Sequence, residues 1–318
     1  MSATTSNRAQ AAATATAPAT IGNCACGFDV LGHSLAGPSD QVTATRIDAS
    51  RATVRITSID CADADLPTDT EHNTAGRAAH ELLLRARATM GVELAIKKGI
   101  PLASGMGGSA ASAVAAVVAT NALLPEPQPE AVLYSAACAG EAAASGAPHG
   151  DNVAPCLLGG LVIAPRAGAP IAIPVPDWLH IALVHPRFEL ETRRSRLVLQ
   201  QPYALADVTA QLEGLALVLA GCHRQDKDTI ARGLYDVLAE PRRADLIPGF
   251  RAVQAAALEA GALGASIAGG GPSVFGWFAD RATAQQAAGA MQQAFARVDL
   301  MSESFVSPVA GPRAAVIS

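Results

Sequence analysis

Apolar positions between Asn73 and Met90 fall at Ala75, Ala78, Ala79, Leu82, Leu83 and Ala86, the spacing of a helix with one buried face, and Gly91 stops the run. From Ser109 to Leu124 no proline, glycine or charge interrupts a series of good helix formers, which predicts a helix buried on every side. Further helices are expected from Pro129 to about Ser145, over Glu191–Gln200, Tyr203–Cys222, Asp226–Ala239 and Arg281–Ala296. Alternation and short apolar runs predict strands at Val92–Lys98, Leu161–Ile163, Leu179–Val184, Ala262–Ala268, Ser273–Phe278 and near Phe305–Val309. Gln41–Ile47 and Ala52–Ile59 alternate on either side of Asp48-Ala49-Ser50 and read as a hairpin. Ala17–Gly32 reads as a short strand followed by a loop, and the punctuated segment Pro148–Pro155 as a loop capping a helix through Asp151 or Asn152.

This mixture of elements in two layers predicts an α+β chain. Its 318 residues suffice for two ordinary domains. Prolines at 165, 170, 174 and 176 mark a boundary, giving domains 17–164 and 165–318, and the Ala, Thr and Ser of residues 1–16 predict a disordered tail. A net charge of −5 without a basic block argues against nucleic acid as a partner. No apolar run was expected to reach the roughly 18 residues of a membrane span. The six cysteines form no C-x-x-C pair and the N-terminus has no secretory signal, so a reducing cytoplasm is the expected location.

The candidate chemistry centres on Pro101–Leu124. Gly105, Gly107 and Gly108 lead directly into the buried helix, so backbone N–H groups without intrahelical partners can approach a ligand at the positive end of a helix dipole. That is an anion site, with phosphate its usual occupant. A flexible turn before a buried helix is the alternative. A P-loop would need Lys where Gly108 stands, and a dinucleotide fold would need an unbroken strand before the glycines, which Gly99-Ile100-Pro101 interrupts. Ser109 offers a hydroxyl to a phosphate or a magnesium ion. Asn23 and Asp29 have ligand reach or simple turn roles. Glu141 is an acid in an Ala-rich helix. Thr192 and Arg196, four residues apart, share a helix face.

These motifs resemble those of the GHMP small-molecule kinases, whose ATP loop reads P-x-x-x-G-L-G-S-S-A-A. Pro101, Gly105, Met106, Gly107, Gly108, Ser109, Ala110 and Ala111 follow it, with Met106 in place of Leu and Gly108 in place of the first Ser. Pro18-Ala19-Thr20, Asn23, Gly27-Phe28-Asp29 and Leu31-Gly32 resemble the N-terminal motif of the homoserine kinase branch, as do Pro148-His149-Gly150-Asp151-Asn152-Val153-Ala154-Pro155 and Glu240-Pro241-Arg242-Arg243 before Leu246-Ile247-Pro248-Gly249-Phe250. Gly269-Gly270-Gly271-Pro272 is similar to the family's third, glycine-rich motif.

The resemblance implies an N-terminal domain like ribosomal protein S5, a C-terminal ferredoxin-like domain and a site between them. It implies an ATP loop running through Pro101, Leu102, Ala103, Ser104, Gly105, Met106, Gly107, Gly108, Ser109, Ala110 and Ala111, with Ser109 and Glu141 holding Mg2+. L-Homoserine would meet Asn23, Asp29, Asn152, Thr192, Arg196 and Arg243, with Arg243 rather than Arg242 reaching the substrate. Asn152, Arg196 and Glu141 would be the catalytic group. The implied reaction is phosphorylation of L-homoserine by ATP on the way to threonine, and a homodimer is the implied assembly. Other family members place an aspartate base where this chain has Asn152, so transfer without a dedicated base is expected. Asp151 and His149 are the alternatives by residue type.

Overall fold

The computed structural model describes residues 11–62, 65–145 and 149–318. Residues 1–10 of the expected tail and Pro148 lie outside the described residues. Residues 12–16 are not tail but the start of strand β1 (Ala12–Gly22), where Ala13, Ala15 and Ala17 are buried against the core. β1 pairs antiparallel with β2 (Leu31–Ile47), and a register shift between Pro18 and Thr20 bends the pair.

The expected hairpin is replaced by a βαβ unit. β3 (Thr53–Asp60) runs through α1 (Thr74–Arg85) into β4 (Gly91–Lys97), and β3 and β4 pair in parallel. β4 lies between β2 and β3. The reason is hydrophobic: Val92, Leu94 and Ile96 of β4 are all buried, whereas β3 buries only Val54 and takes the edge. The face predicted for α1 is the buried one, and Asn73 caps it by accepting from the N–H groups of Ala75 and Gly76.

α2 (Gly108–Ala122) is buried along most of its length, and its small side chains let α1, β1 and α3 (Glu130–Ser145) close around it. A Cβ on Gly140 of α3 would lie 2.4 Å from the carbonyl oxygen of Thr74, so the α1–α3 approach depends on that glycine. The segment expected as a capping loop is itself α4 (Gly150–Leu158), with Asp151 and Asn152 inside its first turn rather than at the cap. β5 (Leu161–Ile163) pairs with β2, and β6 (Ile171–Ile173) extends it. β6 therefore belongs to the first sheet, beyond the boundary expected at residue 164.

The second sheet starts with β7 (His180–Pro186). Helices α5 (Thr192–Leu197), α6 (Leu205–Arg224), α7 (Lys227–Gly233) and α8 (Glu240–Arg243) follow it, the last continuing into a 3-10 turn at Ala244–Leu246. α7 stops six residues short of Ala239. α9 (Phe250–Glu259), which was not anticipated, leads to β8 (Gly264–Ile267) and β9 (Val274–Phe278), and α10 (Arg281–Ala296) to β10 (Ser302–Pro308). The strand order β10-β7-β9-β8, antiparallel throughout, with α9 and α10 as crossovers, is the ferredoxin-like arrangement. β11 (Ala315–Val316) returns to the first sheet and pairs with β1.

β7 shows how the two sheets share a core. Ala182 and Val184 face α9 and α10, while Ile181 and Leu183 join the core of the first domain. Trp277 of β9 donates across this junction to Nε2 of buried His33 at 3.3 Å. α6 corrects one expectation: at 20 residues it is long and apolar enough to cross a membrane. Here it buries Gln211, Gly214, Val218, Gly221 and Cys222 against α7 and the loop at Ala25.

Candidate active site

A cavity of about 410 Å³ lies between the two domains. The glycine stretch forms one wall. Gly105 and Gly107 have φ of 78° and 68°, the left-handed region that side chains resist, and the turn after them delivers the chain into α2. A Cβ on Gly105 would lie 2.4 Å from the carbonyl oxygen of Ala268 and 2.7 Å from that of Gly271, so the glycine turn of the second domain packs backbone-to-backbone on the loop. Ser273 ties the two together, its hydroxyl donating to the Ser104 carbonyl at 2.6 Å. Pro101, Leu102, Ala103, Ser104, Gly105, Gly107, Gly108 and Ser109 line the cavity. Met106, Ala110 and Ala111 turn into the core and shape the loop from behind.

A charged hub beneath this wall was invisible in the local sequence. Lys98, at the end of β4, donates to the Asp40 carboxylate, to the Gly108 carbonyl at 2.8 Å and to Ser112 Oγ at 2.8 Å. Asp40, fully buried, also accepts from the N–H groups of Gly99 and Ile100 at 3.0 and 3.1 Å. A buried pair needs such hydrogen bonds to offset its loss of water. Here they fix the turn that leads into the loop, and they set a cation in the cavity wall.

Ser109 donates to Glu141 Oε1 at 2.9 Å, so the two residues expected to share a cation do meet. The Glu141 carboxyl is pushed up to about 7, chiefly by removal from water. The Ser109 hydroxyl opposes that shift and Asp151 adds to it. A hard divalent cation takes one or two protein oxygens beside phosphate and water, and the Ser109 hydroxyl and Glu141 carboxylate, meeting at the cavity wall, are oxygens of that kind.

A further part of the cavity wall is built from side chains. Arg196 of α5 forks onto Asp29, with Nη1 to Oδ2 at 3.2 Å and Nη2 to Oδ1 at 3.1 Å. His149 Nδ1 lies 3.4 Å from the same carboxylate, and burial holds this imidazole below its usual range. Asn23 accepts from the Asp29 N–H at 3.0 Å and donates to the Gly269 carbonyl at 2.8 Å. Asn23, Cys24 and Ala25 all have positive φ, 69°, 43° and 59°. Strain of this kind, about 1–3 kcal/mol per residue, persists where surroundings over-determine it, and Gln211 of α6 braces the loop at the Ala25 carbonyl.

Arg243 is buried and lines the cavity, donating to the carbonyls of Ser195 and Gly269. Arg242 points elsewhere but is no idle surface charge. It clasps the carbonyls of Leu199, Gln201 and Pro202 and lies 3.6 Å over the Tyr203 ring. Thr192 opens α5, but its side chain lies outside the described residues. Asn152 lines the cavity and accepts from Thr20 Oγ1 at 2.8 Å. Asp151 beside it is buried, and that burial, with Asp29 nearby, pushes its carboxyl up to about 6. Asn23, Asp29, Glu141, Asn152, Arg196 and Arg243 thus converge, whereas Lys98 and the α1 cap Asn73, also in the cavity wall, and Asp40 and Thr20, buried behind it, were not singled out.

Comparison with known proteins gives the same grouping. Residues 73–160 match the family model described as GHMP kinases N terminal domain, and residues 218–297 that described as GHMP kinases C terminal. A homoserine kinase of Xanthomonas campestris pv. campestris is 51% identical over 306 residues, 96% of this chain and 94% of that protein. One of Chlorobaculum tepidum is 44% identical, with 95% and 97% covered. The crystal structure of homoserine kinase from Cytophaga hutchinsonii superposes with a TM-score of 0.92 at 39% identity, covering 97% of this chain and 98% of that one.

Proposed function

The chain belongs to the GHMP kinases, in their homoserine kinase branch, and from that premise we propose that it transfers the γ-phosphoryl group of ATP to the side-chain hydroxyl of L-homoserine, giving O-phospho-L-homoserine and ADP, a step toward threonine. The observation that carries the substrate is the Asp29–Arg196 fork, with Arg243 also in the cavity wall. An amino acid brings both charges. Its ammonium suits Asp29 and its carboxylate suits the two guanidinium groups, so the ligand exchanges one charge pair for two. A sugar or mevalonate would leave part of this set unmatched.

Phosphoryl transfer asks a protein mainly for alignment and neutralisation of charge. Backbone N–H groups of the glycine loop and the α2 N-terminus receive the phosphates, with Lys98 behind them. Ser109 and Glu141 would hold Mg2+, which would supply compensating charge for the triphosphate. Asn23 keeps Asp29 in place, and Asn152 and Thr192 orient the acceptor. Asn152 cannot take a proton at neutral pH, so the hydroxyl proton leaves to the phosphate itself. Asp151 sits under the strained loop and serves its shape. Asp151→Asn is therefore expected to retain well over a thousandth of wild-type kcat, and a lower value with intact fold would make Asp151 the base. All six cysteines are free, in keeping with a cytoplasmic enzyme. Light scattering tests the homodimer the family suggests.

ADP release with Mg-ATP against L-homoserine, D-homoserine, L-serine, mevalonate and galactose tests the whole reading. Release with L-homoserine alone is expected. Release with mevalonate or galactose instead would preserve the role of the glycine loop and overturn those of Asp29, Arg196 and Arg243.

A further inference from the structure

Thr20 stands where three parts of the site meet. It is fully buried on β1. Its backbone N–H donates to the Met106 carbonyl at 3.0 Å, and its hydroxyl to Asn152 Oδ1 at 2.8 Å. Gly107 leaves no slack around this contact, since a Cβ there would lie 2.1 Å from Thr20 Oγ1 and 2.8 Å from Asn152 Oδ1. The other end of the amide is on the far side, where a Cβ on Gly22 would lie 2.6 Å from Asn152 Nδ2. The glycine loop, the strand and the amide are thus locked in one register.

We infer that Thr20 is a positioning residue for phosphoryl transfer: its hydroxyl occupies Asn152 Oδ1 and so sets the amide with its N–H donors, not its carbonyl, toward the acceptor alcohol. This rests on the kinase reading above. An amide has two faces of similar shape and opposite polarity. A donor N–H aimed at the acceptor hydroxyl leaves that oxygen's proton pointing away, toward the phosphate. A carbonyl there would accept the proton and turn the nucleophilic lone pair aside. In the orientation seen here the Thr20 hydroxyl donates to Oδ1 and leaves the N–H donors for other partners, whereas a reversed amide would spend an N–H on Thr20 Oγ1 and turn its carbonyl outward. The same residue fixes the loop through Met106, so the amide and the phosphate cradle keep their relative place.

The test compares Thr20→Val, which keeps the shape and loses the donor, with Thr20→Ser, which keeps the donor. With L-homoserine, or whichever acceptor the wild type turns over, Thr20→Val is expected to lower kcat by about tenfold or more, the scale of one well-placed hydrogen bond. KM for Mg-ATP should stay within about threefold and Thr20→Ser should restore kcat. If Val does not give folded protein, Thr20→Ala takes its place. A second readout is independent of turnover: the Asn152 side-chain amide resonances, assigned through Asn152→Asp, should shift in the Val protein and return in the Ser protein. Val turnover within twofold of wild type, or unmoved amide resonances, would overturn the inference. A wild type inactive on L-homoserine would instead overturn the substrate reading, leaving the resonances to judge Thr20.

Discussion

Two parts of the cavity wall are made of different material. Around the glycine loop, the proposed phosphate site, most of the surface is backbone held by glycines, beside Lys98, Ser109 and Glu141, and the supports are backbone too: Thr20 on Met106, Ser104 on Ser273, Gly105 against the Ala268 and Gly271 carbonyls. At the proposed acceptor site the groups are charged side chains drawn from both domains, Asp29 from one and Arg196 and Arg243 from the other. A surface made of backbone tolerates side-chain change wherever the backbone path survives. A surface made of side chains tolerates almost none. That accounts for Met106 and Gly108 replacing the family's leucine and serine while Asp29, Arg196 and Arg243 keep theirs.

Three substitutions press on this contrast. Arg196→Met removes a bidentate partner and leaves Asp29 short of charge compensation. The loss expected in kcat/KM for the amino acid is about a thousandfold, with KM for Mg-ATP little changed; equal losses for both substrates would erase the division. Gly105→Ala puts a Cβ 2.4 Å from a backbone oxygen at a positive φ. The protein is expected to lose about 2–4 kcal/mol of stability in urea unfolding, with weaker ATP binding in whatever folds. Gly108→Ser is the smallest. That position has an ordinary φ, and the nearest atoms to a Cβ there are those of Ile100 at 3.3 Å and the Lys98 Nζ at 3.6 Å, both outside the range of a clash. Activity within about threefold of wild type is expected; a loss as large as that of Gly105→Ala would show that the loop reads side chains after all.

What could be seen in the sequence divides along similar lines. The α1 stripe, the buried α2 and the glycine turn are local patterns, and each is present where the spacing placed it. Arg243 was distinguished from Arg242 because the resemblance ran position by position through that segment. The Asp40–Lys98 hub was missed because its partners lie 58 residues apart and Lys98 looks like any charge at a strand end. The hairpin failed because alternation says that a strand exists, not which neighbour it takes; the greater burial of β4 decided that. α4 was hidden by Pro148 and Pro155, the second of which sits within the helix. α6 was expected as a helix but not as a run of span length, because its polar residues and glycines interrupt it; the glycines serve close packing with Tyr235, Ile230 and Cys26.

β11 has a bearing on how the molecule is made. Its two residues lie beside Ala15 and Thr16, nearly the whole chain away, and the Ser318 carbonyl accepts from the Thr14 N–H at 2.7 Å. On the ribosome the first domain emerges early but must wait with the β1 edge uncovered until the segment after β10 has been synthesised. During that interval the second edge of a strand already paired to β2 is open to other nascent chains. The half of the protein that is translated first is therefore the last to be completed.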